Sequence, residues 1–126
     1  MQETGGQPTG TVWPVILIDD DQWLTVCESD RDVQLAVEPD FLDDIVAAFD
    51  GPARLLRLLD TQDEVTFEVS GPPQPEELRR RVQEYFDCWT REAAPAFQED
   101  TRQYIASVAA LARSADAKRK KGKPTR

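Results

Sequence analysis

The chain predicts an α+β fold of about five mainly antiparallel strands, with a short helix and two C-terminal helices packed on the sheet, in the order βββαββαα. Three observations carry that prediction. Residues 1–70 contain short apolar runs and alternating stretches of strand length. Residues 75–114 switch to apolar spacings of three and four, the helical period. Between them, Ser70–Pro75 (SGPPQP) holds three Pro and reads as a hinge. A chain of 126 residues suits one domain. Its expected layout is a disordered N-terminal tail over 1–10, an α+β domain over 11–114, and a disordered basic tail over 115–126. Within the domain, 11–70 forms the sheet with the short helix, and 75–114 is helical with a break near Pro95.

Val12–Ile18 is nearly all apolar, as a strand buried on both faces requires, and Pro14 fits only its start or an edge. Asp19–Asp21 turns the chain. Gln22–Glu28 alternates with Trp23, Thr25 and Cys27 on one face, completing a hairpin. After the polar turn SDRD, Val33, Leu35 and Val37 alternate as a third strand. Glu38-Pro39-Asp40 then opens a helix, with Phe41, Leu42, Ile45, Val46 and Phe49 on one face and Asp50-Gly51-Pro52 as its stop. Ala53–Asp60 (ARLLRLLD) fits a helix or a strand. Its pairing across Thr61–Glu64 with the alternating Val65–Val69 favours strand–turn–strand. Pro75-Glu76-Glu77 starts a helix whose stripe is Leu78, Val82, Tyr85, Phe86 and Trp89. A second stripe, Phe97, Thr101, Tyr104, Ile105, Val108, Ala109, Leu111 and Ala112, is rotated from the first. A break near Pro95 resolves the difference, and the last helix is expected to end around Ser114. Trp13, Trp23, Phe67, Tyr85, Phe86 and Trp89 fall on core faces, with Trp13 nearest an edge. Cys27 and Cys88 read as reduced, packed thiols.

Charge is divided along the chain. Residues 1–70 hold 16 acidic and 3 basic side chains, and 71–126 hold 8 and 12, within a total of −9. No His occurs, and the first Lys is Lys118. Imidazole base chemistry, most zinc sites, Schiff-base chemistry and P-loop phosphate binding are therefore disfavoured. The chain reads as a non-enzyme without a cofactor or metal, although a carboxylate-only enzyme is compatible with its composition. No targeting segment or apolar run of membrane-spanning length is evident, so a cytoplasmic protein without membrane insertion is expected.

Ile16–Asp21 (ILIDDD) resembles the opening strand of response-regulator receiver domains. That resemblance implies an acidic pair binding Mg²⁺ beside a phospho-accepting Asp, a place Asp60 would take. Receivers also use a Lys and a helix after the acidic pair, whereas here no Lys precedes Lys118 and a strand pattern follows. Three consecutive carboxylates also diverge too much for a tight cation site. In size and charge the chain is similar to immunity proteins and antitoxins, which neutralise cationic nucleases by acidic surface mimicry. The expected function is thus protein binding: an acidic module covering a basic surface of a partner through Asp19, Asp20, Asp21, Asp43 and Asp44, with Trp23. Two alternatives remain. One is nucleic-acid association through Arg79–Arg81 and the tail residues Lys118, Arg119, Lys120, Lys121 and Lys123. The other is a homodimeric scaffold pairing its C-terminal helices, 76–93 and 96–113.

Overall fold

In β1, Val15–Asp19, the side chains of Val15, Ile16, Leu17 and Ile18 are all buried, because this strand has a neighbour on each side and a layer on each face. The computed structural model describes residues 10–119, so nearly all of the expected N-terminal tail and residues 120–126 lie outside the described residues. Five strands form one sheet in the order β2-β1-β3-β4-β5, with every neighbouring pair antiparallel. β2 is Leu24–Cys27, β3 Ile45–Phe49, β4 Arg54–Thr61 and β5 Glu64–Pro73. The predicted class and strand number stand: this is an α+β fold on an open sheet.

The third and fourth predicted elements exchange places. Val33–Val37 is not a strand; it belongs to helix α1, Asp30–Ala36, and the residue that follows it. Ser29 Oγ accepts from the Asp32 N–H (3.4 Å), and Asp32 Oδ2 accepts from the Glu28 N–H (2.9 Å). These reciprocal bonds cap the first turn, and the capping pattern overrides the alternation that follows it. The predicted helix over 41–49 is a 3-10 turn, Pro39–Asp44, followed by β3. Here β-branched Ile45 and Val46 and the pairing of Phe49 with Ile16 outweigh the helical spacing. The register shifts between Ile18 and Asp19, leaving Val46 as the extra residue of a bulge. Ile45 therefore turns to the sheet face opposite Ala47 and Phe49.

The β4–β5 hairpin forms as predicted, with Gln62 and Asp63 at positive φ (53° and 67°) in a two-residue turn. β5 continues through Ser70 and Gly71 to Pro73, into the expected hinge, with Arg54 opposite Pro73. Helix α2, Pro75–Trp89, buries Leu78, Val82, Tyr85 and Phe86. Helix α3, Thr101–Arg119, begins where Asp100 Oδ1 accepts from the N–H groups of Arg102 and Gln103 (3.1 and 3.3 Å), an N-cap. It runs past the end expected near Ser114, so Lys118 and Arg119 fall in its last turn. No helix of the described residues is long and apolar enough to cross a membrane.

The sheet separates two cores. Ile16, Ile18, Leu24 and Phe49 pack against α2 and α3 through Val82, Tyr85, Tyr104, Ile105 and Val108. On the other face Val15, Leu17, Cys27, Ala48 and Leu56 pack with Val33 and Val37 of the α1 region and with Val65 of β5. The helices thus cover both faces, with α1 opposite α2 and α3.

Between β3 and β4 the chain closes in Asp50-Gly51-Pro52-Ala53 around a buried ion pair. Asp50 and Arg54 are 0% and 2% exposed. Asp50 accepts from Arg54 Nη2 (2.6 Å), Arg54 Nε (3.1 Å), the Arg54 N–H (3.0 Å) and the Val12 N–H (3.3 Å). Arg54 Nη2 also donates to the Gly10 carbonyl (2.9 Å). The Gly51 N–H donates to the Val12 carbonyl (2.6 Å), and a Cβ at Gly51 would lie 3.1 Å from the Trp13 carbonyl oxygen. Ala53 adopts φ 71° and accepts from the Gln74 N–H (2.8 Å), while Thr101 Oγ1 donates to the Gly51 carbonyl (2.6 Å). Four separate segments meet there. Replacing Arg54 with Met keeps much of the aliphatic volume but strands a buried carboxylate, which costs about 3–5 kcal/mol. Chemical denaturation should show a loss of that size; a change below about 1 kcal/mol would contradict the role given to the pair.

Candidate functional site

The acidic residues singled out in the sequence come together at one end of the sheet. The β1–β2 turn is built by Asp19, whose Oδ1 accepts from the N–H groups of Asp21 (2.8 Å) and Trp23 (3.0 Å). This Asx-type turn lets Gln22 adopt φ 66°. The Asp20 N–H donates to the Asp44 carbonyl (2.9 Å), joining the β1–β2 turn to the 3-10 turn. Asp20, Asp43 and Asp44 are exposed, and Asp19 and Asp21 are half-buried. Asp19 is therefore a structural member of the group, and Asp20, Asp43 and Asp44 present its charge.

Trp23 is half-buried, edge-on to Tyr85 and Trp89 at centroid distances of 5.6 and 5.4 Å. Trp89 Nε1 donates to the Asp21 carbonyl (2.9 Å), so α2 holds the acidic turn from beneath. Trp13, also half-buried, packs edge-on to Phe67 at 6.1 Å. One carboxylate oxygen from each of Asp19, Asp20 and Asp21 lies within 4.8 Å of the other two, and among the described residues no further Cys, Asp or Glu joins them. A hard cation takes six or more oxygen ligands from converging directions, and one Asp19 oxygen here already serves two backbone donors. Asp60, the position the receiver resemblance would use, sits in the β4–β5 hairpin and accepts from the Asp63 N–H (3.1 Å).

Three apolar side chains expected in the interior are on the surface. Leu35 is 76% exposed, Phe41 55% and Val46 47%. Phe41 lies in the same 3-10 turn as Asp40, Asp43 and Asp44. The sequence signal for it was Glu38-Pro39-Asp40, which stiffens a short turn as well as it starts a helix.

The three arginines considered for phosphate contact are engaged within the helical layer. Arg80 bonds Glu77 (2.6 Å) and Glu84 (2.7 Å), and Arg81 Nε donates to Glu77 (3.1 Å). Hydrogen bonding from Arg80 holds the Glu77 carboxyl below its ordinary range. The Arg79 guanidinium stands 5.3 Å from the Phe97 ring centroid. Of the tail residues, Lys118 and Arg119 belong to α3, and Lys120, Lys121 and Lys123 lie outside the described residues.

The two thiols differ. Cys27 is buried as expected, but Cys88 is exposed on α2, because it falls outside the stripe from Leu78 to Trp89. Burial, with Asp32 nearby, pushes the Cys27 thiol up to about 12. Comparison with known protein families, curated proteins and solved structures finds no match for this chain.

Native chain treated with a thiol reagent near neutral pH should label Cys88 alone, and unfolded chain both cysteines; labelling of Cys27 in the folded chain would contradict its burial. The folded state retains the Cys27 proton more strongly than the unfolded state, whose value is near 9.0. Its stabilising effect is complete below pH 9 and is lost as pH rises from there toward 12. Denaturation midpoints of wild type and Cys27→Ala should therefore converge as pH is raised above 9.

Proposed function

We propose that this chain is a small acidic protein-binding module that covers a basic surface of a partner protein, in the manner of immunity proteins or antitoxins. One observation carries the reading: the hydrogen bond from Asp20 to Asp44 that gathers Asp20, Asp43 and Asp44 at one end of the sheet beside exposed Phe41. An exposed aromatic in the same turn as exposed carboxylates suits a protein interface, where the ring supplies apolar contact and the carboxylates supply steering and orientation. The same charges repel a phosphate backbone. The internal pairing of Arg80 and Arg81 removes much of the positive field that nucleic-acid association would need. Buried Cys27, with its raised pKa, is also a poor nucleophile.

A triple variant, Asp20→Asn, Asp43→Asn and Asp44→Asn, tests the reading without touching Asp19, which builds the turn. At about 0.05 M salt the wild-type chain should capture a basic protein from native extract. The triple variant should lose it, and so should the wild type when salt is raised to about 0.5 M. Equal capture by both chains would contradict the assignment of the acidic end as the binding surface.

A further inference from the structure

We propose that the partner adds an extended segment to the open edge of β2, and that this segment carries small apolar residues at its centre and Lys or Arg at both ends. The Asp19 N–H donates to the carbonyl of Trp23 opposite it (3.0 Å), which makes those two a hydrogen-bonded pair. Alternation along an antiparallel ladder then makes Leu17–Thr25 and Val15–Cys27 the next bonded pairs. The backbone groups of Leu24 and Val26 consequently point away from β1. β2 is the outermost strand, and among the described residues no hydrogen bond from outside the sheet reaches those four groups. The next outward donor, the Glu28 N–H, is closed by Asp32 Oδ2. At the opposite edge, the Gln34 carboxamide closes β5 at one residue, bonding the N–H and the carbonyl of Val65 (3.0 and 2.8 Å) as a strand would.

The surroundings of this edge have the shape an added strand requires. Successive side chains of a strand point to opposite faces, and β2 has space on both. Toward α3, a groove of about 400 Å³ beside Val26 and Ala106 runs into one of about 210 Å³ beside Leu24 and Ala112, with Val26 and Ala109 lining both. On the other face, Thr25, Val37 and Ile45 line a groove of about 270 Å³. Alanines on α3 leave room for an incoming side chain where larger residues would fill it. The four residues of β2 span about 13 Å. Asp20 and Asp21 stand at one end with Arg113, and Glu28, Asp30, Asp32 and Asp100 at the other with Arg31 and Arg102, so that acidic groups outnumber basic ones at both ends. This distribution disfavours a second copy of the chain, because an antiparallel β2–β2 pairing would bring the two acidic ends together. It favours cationic residues at both ends of the added strand. Main-chain bonding would supply affinity and the grooves selectivity, the usual division in strand addition.

The inference rests on the partner being basic, and the test separates the two claims. The full-length chain is titrated at low salt with the octapeptide KRVTVTKR, and amide exchange is followed residue by residue. A second peptide has the same sequence but is N-methylated at alternate backbone positions. The first peptide should slow exchange at Leu24 and Val26 by about tenfold or more, and the N-methylated one should leave both unchanged. If both peptides perturb Asp20, Asp43 and Asp44 without slowing Leu24 or Val26, strand addition is overturned while the basic-partner reading stands. Absence of any perturbation overturns both. Slow exchange of Leu24 and Val26 in the free chain would show that another segment already covers the edge, which also overturns the proposal.

Discussion

The buried pair of Asp50 and Arg54 is the interaction on which the rest of the structure depends. An isolated charge in a protein interior is expensive, and this pair is tolerable because both groups are extensively hydrogen-bonded. Its partners come from Gly10, Val12 and the β3–β4 turn. The atoms of that turn in turn hold the start of α2 through Gln74 and the start of α3 through Thr101. The clasp therefore fixes where the chain enters the sheet and where both large helices leave it. Hydrophobic contact alone cannot specify those points, because burial is non-directional.

The acidic turn lies at the opposite end of β1 from this clasp and is held differently. Asp19 orders it through its own backbone, Trp89 reaches it from α2, and Asp44 joins it to the 3-10 turn. Most of these bonds satisfy backbone groups, and among the described residues the exposed carboxylates of Asp20, Asp43 and Asp44 make no hydrogen bond or ion pair. Each sheet edge is closed at one point by a side chain, β5 at Val65 by Gln34 and β2 at Glu28 by Asp32.

Much of this architecture could be read from the residues. Continuous burial of β1 followed from the unbroken apolar run before Asp19, and the rotation between two helical stripes located the break between Trp89 and Thr101. The exchange of α1 and β3 was not legible from periodicity. VQLAV alternates, yet the Ser29–Asp32 cap and packing of Val33 beneath β5 make it helical. Residues 41–49 have helical spacing, yet pairing with β1 makes half of them a strand. In the first case a local cap and packing act together, and in the second long-range strand pairing outweighs the local spacing. At the candidate site, the acidic members were visible as charge runs, but their meeting depends on the Asp20–Asp44 hydrogen bond, which joins residues 24 positions apart. Exposure of Phe41 follows from the 3-10 turn that stands where the helical spacing predicts a helix.

These features describe a rigid clasp at one end of the molecule and an open strand edge along its side. Native-state amide exchange on the full-length free chain compares the two directly. The N–H groups of Asp50, Gly51, Ala53 and Arg54 should exchange only through global unfolding, and those of Leu24 and Val26 near the rate of open peptide. Exchange of the clasp amides as fast as that of Leu24 and Val26 would contradict the account.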